Sequence, residues 1–215
     1  MNLAGVVLCG GRSSRMGLAK ASLPFGTETL LVRVVRIVSQ VVKPVIVVAA
    51  EEQPMPEFSR QVTVVRDRDP QRGPLEGLRA GLEGLGSVCD TAFVTGCDTP
   101  LLTSAFIERM AALLGEHQIA VPWIDGFDHP LAAVYRTSVL PHVEALLAAD
   151  RLRPAYLFEQ VPTRRVTAEE LRDVDPGLAC LRNLNAPADY LATLAEEGLE
   201  APTEILRAFE SRPAH

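Results

Sequence analysis

Ala4-Gly5-Val6-Val7-Leu8-Cys9 runs without a break into GGRSSRMGLAK, residues 10–20. An apolar run closed by glycine reads as a parallel strand covered on both faces. Residues 10–20 then lie at the carboxyl edge of a sheet, where open α/β folds place ligands. The loop is neither a GxxxxGK[ST] phosphate loop nor a GxGxxG dinucleotide fingerprint. Its side chains are nonetheless those that handle phosphate. Gly10 and Gly11 let the backbone bring successive N–H groups close to an anion, and Ser13 and Ser14 add hydroxyl donors. Arg15 supplies a planar fork and Lys20 a point charge. Paired glycines alone would mean only a tight strand-to-helix loop; the polar donors beside them point to a ligand. Lys20 is one of two lysines, with Lys43, in a chain that otherwise uses arginine.

Outward from this loop, strands and helices alternate. Helices are expected over 28–40, 78–85, 105–114 and 139–149, and strands over 45–50, 62–66, 91–97, 119–123, 131–135 and 164–167. The repetition implies a three-layer α/β sandwich around a mostly parallel central sheet. No repeat or linker divides the chain, so residues 1–194 read as one domain and 195–215 as a frayed helix or mobile tail.

Composition narrows the function. With 215 residues, 47% of them hydrophobic, the chain can bury a full core. A net charge of −6 argues against a surface made for nucleic acid or anionic lipid. No stretch reaches the length of a membrane span and the amino terminus lacks a signal-peptide pattern, so a cytoplasmic protein is expected. Cys9, Cys89, Cys97 and Cys180 show no CxxC spacing, and the four histidines no HxxxH or HExxH pattern, so transition-metal chemistry has no visible home.

A second constellation is VTGCDTPLL, residues 94–102. Asp98 directly follows a buried strand, on the same sheet edge as the glycine loop. Such an acid can cap the next turn, or hold Mg²⁺, which takes one or two carboxylates together with phosphate oxygens and water. Asp67-Arg68-Asp69 also fits a DxD metal site, a pattern charged loops produce by chance. Asn183 and Asn185 alternate with Leu184 and would point both amides one way, although Asn185, read from its neighbours, caps the PADYL helix. His129, before Pro130, sits in a turn-like segment.

LCGGRSSRMGLAK at 8–20, RDRDPQRGPLEGLRAGL at 66–82, GCDTPLL at 96–102, DHPLAAVYR at 128–136 and LRNLNAPADY at 181–190 together resemble the molybdenum cofactor guanylyltransferase family. The motifs occur in the family's order and span nearly the whole chain before the tail. The resemblance implies a Rossmann-like nucleotidyltransferase fold and transfer of GMP from GTP to the phosphate of molybdopterin, with release of pyrophosphate. It further implies that Leu8, Cys9, Gly10, Gly11, Asp67, Gly73, Pro74 and Leu75 contribute to the nucleotide site. Arg15 and Lys20 would serve the phosphates, Asp98 would hold Mg²⁺, and His129, Asn183 and Asn185 would face the molybdopterin. Catalysis would fall to Arg15, Lys20 and Asp98, and the partners would be GTP, molybdopterin and cofactor-accepting apoenzymes or delivery proteins. The chain departs from the family pattern at Ala19, where many members have an acid, and at AAEEQP (49–54), where an asparagine often follows the second strand. A related enzyme using CTP or UTP with another phosphorylated acceptor, and a non-catalytic cofactor-binding or delivery protein, share the same fold expectation.

Overall fold

The computed structural model describes residues 2–10, 16–59, 61–67 and 69–211. The glycine-loop residues Gly11, Ser13, Ser14 and Arg15 lie outside the described residues. β1 (Leu3–Leu8) is followed, after a 3-10 turn at Lys20–Ser22, by a small hairpin of β2 (Pro24–Phe25) and β3 (Glu28–Thr29). Helix α1 (Leu30–Val41) therefore starts two residues later than its periodicity predicts. Glu28 and Thr29 are held in the hairpin, and the Thr29 hydroxyl caps the helix by accepting from the Val32 N–H.

β4 (Val45–Ala50) and β5 (Thr63–Asp67) lead into α2 (Pro74–Leu85). α2 begins four residues before the predicted start. Pro74 occupies its first turn, where a missing N–H costs nothing, so GPLEG opens the helix instead of preceding it. Then come β6 (Thr91–Gly96), α3 (Ser104–Leu113), β7 (Ile119–Ile124), β8 (Phe127–Asp128), β9 (Ala132–Arg136), α4 (Leu140–Ala148) and α5 (Ala155–Phe158). β10 (Thr163–Val166), α6 (Ala168–Leu171), α7 (Pro187–Glu196) and α8 (Thr203–Glu210) complete the chain. Among the described residues no helix is long and apolar enough to cross a membrane.

The sheet runs in the order β10-β7-β9-β6-β1-β4-β5, with β8 paired to β7. β6, β1, β4 and β5 are mutually parallel, as is the β7–β10 pair, whereas β9 lies antiparallel between β6 and β7. No helix separates β7 from β9, so the chain has no crossover with which to return in parallel.

One sheet face is covered by α1 and α3, which pack Val34, Val38, Phe106 and Met110 against Val7 and Phe93. The other is covered by α2 and α4, which pack Leu75, Leu82 and Leu146 against Val6 and Val94. A third, smaller core joins Met16 at the end of the glycine loop to Phe25, Leu30, Leu184, Tyr190 and Leu194, with Ile205 and Phe209 of α8 packed against it. The Tyr190 and Phe209 rings meet edge to face at 6.0 Å, and the Tyr190 hydroxyl donates to the Pro24 carbonyl at 2.6 Å.

Candidate active site

From β1 the chain winds outward to β4 and β5 and then returns through α2 to β6 on the other side of β1. The strand order thus reverses at β1, and the carboxyl ends of neighbouring strands part at such a switch point to leave a crevice. A cavity of about 250 Å³ occurs there. Leu8, Cys9 and Gly10 from the end of β1 form one part of its wall, and Val48 and Asp67 from β4 and β5 another. Gly96, Cys97 and Asp98 from the end of β6, the first turn of α2, and Lys20 and Leu131 close it. α2 reaches this position because it lies directly on β1. A Cβ at Gly81 would come within 2.4 Å of Val6 Cγ1, so only glycine permits the approach.

Lys20 and Asp98 meet at the wall. The Lys20 ammonium donates to Asp98 Oδ2 at 2.7 Å and to Asn185 Oδ1 at 3.0 Å, and the Lys20 and Asp98 side chains are each 17% exposed. The turn carrying Asp98 is held from beneath by two buried hydroxyls. Thr99 Oγ1 donates to the Gly96 carbonyl at 3.0 Å and stands 3.0 Å from Thr95 Oγ1. Asp98 Oδ1 lies over Gly96, where a Cβ would sit 2.5 Å from it, so the carboxylate fits only above a glycine.

Asp67 is buried, and this desolvation holds its carboxyl above the usual carboxylate range. The neighbouring charges of Glu76 and Asp69 act in the same direction, against the Asp69 N–H donated to Asp67 Oδ1 at 3.0 Å. Behind it, Glu76 is clasped by Arg79, which also donates to Glu83. Burial pushes the Cys9 thiol up to about 12 and the Cys97 thiol well above its ordinary value. Both thiols at the wall are therefore neutral near pH 7 and unsuited to attack as nucleophiles.

Of the residues expected at a nucleotide site, Leu8, Cys9, Gly10, Lys20, Asp67, Gly73, Pro74 and Asp98 share the cavity. Leu75 does not, being fully buried in the core beneath α2. His129 follows β8, with its N–H on the Pro122 carbonyl at 2.9 Å. Burial lowers the His129 pKa, against the pull of Asp128 and Asp125, leaving a neutral imidazole at pH 7. It stands near the cavity in sequence, two residues before Leu131, but does not form its wall. Asn183 is exposed. Asn185 is brought to Lys20 and does not cap the following helix with its side chain. Asp189 supplies that cap, accepting from the N–H groups of Asn185 and Ala186 at 2.9 and 2.8 Å. Val48, Gly96, Cys97 and Leu131 were not anticipated; Gly96 and Cys97 flank Asp98 in GCD, and Leu131 follows the DHP turn.

No group of three or more His, Cys, Asp or Glu side chains capable of holding a metal occurs among the described residues. The cavity's carboxylates are the buried Asp67 and the partly exposed Asp98, and Asp98 stands beside an ammonium. That set fits a hard cation whose remaining ligands are phosphate oxygens and water, and not a cation caged by protein.

The MobA-like NTP transferase domain matches residues 5–164 of the chain. A probable molybdenum cofactor guanylyltransferase of Mycobacterium ulcerans is 39% identical over 200 residues, which cover 89% of this chain and 93% of that one. Among solved structures, the molybdopterin-guanine dinucleotide biosynthesis protein A of Archaeoglobus fulgidus superposes with a TM-score of 0.74 at 20% identity, covering 96% of this chain and 97% of that one. A 4-diphosphocytidyl-2C-methyl-D-erythritol synthase of Anaerococcus prevotii superposes with a TM-score of 0.68 at 11% identity, covering 91% and 98%.

Proposed function

Because this chain belongs to the MobA-like NTP transferase family and is thereby a nucleotidyltransferase, we propose that it transfers GMP from GTP to the phosphate of molybdopterin in the cytoplasm. One observation carries the reading. Lys20 and Asp98, 78 residues apart in sequence, meet on the wall of the cavity at the strand-order switch point. The names of the relatives at 38–39% identity support the choice of GTP and molybdopterin.

The acceptor phosphate is a monoester that is anionic near neutral pH. One of its oxygens attacks the α-phosphorus of GTP, forming a new P–O bond, while the α–β bridging bond breaks and its electron pair leaves with pyrophosphate. No protein base has to remove a proton, so the chemistry makes no demand on the neutral thiols at the wall. A divalent cation such as Mg²⁺, held by Asp98 and the phosphates, supplies charge neutralisation. The protein's own contribution is placement. Lys20 and Arg15 bind phosphate oxygens, Gly10, whose own N–H is donated to the Val48 carbonyl at 3.3 Å, lets the ligand approach the backbone, Gly11 offers its N–H, and Asp67 with the first turn of α2 shapes the nucleoside end. On this reading the acceptor contacts implied by the resemblance fall to Asn183 and His129.

The test is binding of GTP, CTP, ATP and UTP with and without Mg²⁺, followed by turnover with molybdopterin. The proposal expects selective, Mg²⁺-strengthened GTP binding and release of pyrophosphate. A preference for CTP or UTP would overturn the substrate and leave the mechanism; no nucleotide binding would leave a cofactor-binding protein.

The glycine beneath Asp98 gives a narrower prediction. In Gly96→Ala the new Cβ forces the Asp98 carboxylate to rotate away, which a short side chain does at little cost in stability. Turnover is expected to fall by about tenfold with a thermal midpoint close to that of the unaltered protein, a modest part of the effect of deleting such a group. Full turnover in Gly96→Ala would show that the carboxylate's position over residue 96 is immaterial.

A further inference from the structure

Residues 182–186 form neither strand nor helix, yet the segment is fastened at several points. The Leu184 N–H donates to the Asp98 carbonyl at 3.0 Å, and the Leu184 side chain is buried in the third core with Met16 and Tyr190. The Asp189 carboxylate takes the next two N–H groups. Asn185 is thus fixed through its backbone, which leaves its side-chain oxygen to accept from Lys20, 165 residues away.

We infer that Asn185 is a positioning residue for Lys20: its amide oxygen sets where the ammonium stands on the cavity wall, a role that rests on the proposal that Lys20 serves the nucleotide. An ammonium has three N–H donors. Asp98 and Asn185 take two of them, and the third is the one a phosphate oxygen would receive. Asp98 alone is a poor anchor for this purpose, because the same carboxylate is the one suited to a divalent cation. Asn185 has no such competing use. It is also neutral, so it orients the lysine without adding a negative charge that would repel a triphosphate, as an aspartate there would. With four rotatable carbons, a lysine tied at one point samples many positions; tied at two, it is preorganised. The contact also links the C-terminal segment, through Asp189 and the third core, to the phosphate end of the site.

The two-lysine composition makes the role observable without any nucleotide. In protein labelled at the lysine side-chain nitrogens, Lys20 and Lys43 give two ammonium signals, assigned with Lys20→Ala. Asn185→Leu, similar in size but without an acceptor, is expected to shift and mobilise the Lys20 signal and leave that of Lys43 in place. The exposed setting of Asn185 makes the replacement compatible with folding. Binding of GTP with Mg²⁺ then completes a double-mutant cycle. Asn185→Leu should weaken binding about tenfold when Lys20 is present and less than twofold in the Lys20→Ala background, because coupled groups are not additive.

An unchanged Lys20 signal, an equal loss in both backgrounds, or a defect confined to the KM for molybdopterin would overturn the inference; the last would make Asn185 a direct substrate contact. If the unaltered protein binds no GTP, the proposed function fails, and the lysine signals still decide the role of Asn185.

Discussion

Lys20→Ala is expected to lower turnover by about 10²-fold or more with both substrates saturating, while the protein stays folded. The size follows from what the ammonium does. Charge develops on the transferring phosphoryl group and the departing pyrophosphate, and a fixed cation at the cavity wall stabilises it without reorganising at the moment of reaction. The fold should survive because Lys20 belongs to none of the three apolar cores and sits in a short 3-10 turn that tolerates alanine. Its removal leaves Asp98 without its cation, yet that carboxylate is exposed enough for water to solvate it. Lys20→Arg separates charge from geometry. The planar guanidinium keeps the charge but cannot place one compact donor group between Asp98 and Asn185, so partial recovery at most is expected. Turnover of Lys20→Ala equal to that of the unaltered protein would remove Lys20 from the mechanism.

The two halves of this contact were legible in the sequence to different degrees. An apolar run that stops abruptly in polar residues marks the end of a covered parallel strand, and both Leu8-Cys9-Gly10 and Gly96-Cys97-Asp98 carry that mark. Two such ends beside each other imply one crevice. From its neighbours Asn185 reads as a helix cap and from the resemblance as a molybdopterin contact; its contact with Lys20 was not legible, because the partner of the amide is 165 residues away, while the acceptor that satisfies the backbone N–H groups, Asp189, lies inside the helix. Leu75 entered through the family resemblance, while the helix was expected only from residue 78. With α2 starting at Pro74, residues 75, 78, 82 and 85 fall on one stripe, and that stripe faces the core. The α8 segment gave a weak signal because its apolar contacts, Ile205 and Phe209, meet a small core assembled from residues far apart in the chain.

Asp98→Asn is expected to have the largest effect, a fall in turnover of about 10³-fold, and to act with opposite signs on two binding measurements. The amide has nearly the volume of the carboxylate and keeps an oxygen that can accept from Lys20, so the turn held by Thr95 and Thr99 has no reason to move. What is lost is one negative charge. Without a divalent cation that charge repels the triphosphate, so its removal should tighten GTP binding. With Mg²⁺ present the carboxylate is the protein's contribution to the cation, so the same substitution should abolish the strengthening that Mg²⁺ brings. A variant that had merely lost its fold would weaken in both conditions. The opposed pair of changes therefore separates a missing cation ligand from a damaged site, and the comparison needs no molybdopterin. If Mg²⁺ strengthens GTP binding to Asp98→Asn as much as to the unaltered protein, the cation is held elsewhere. Asp98 would then be reduced to the counter-ion of Lys20, the one role that the 2.7 Å contact already assigns to it.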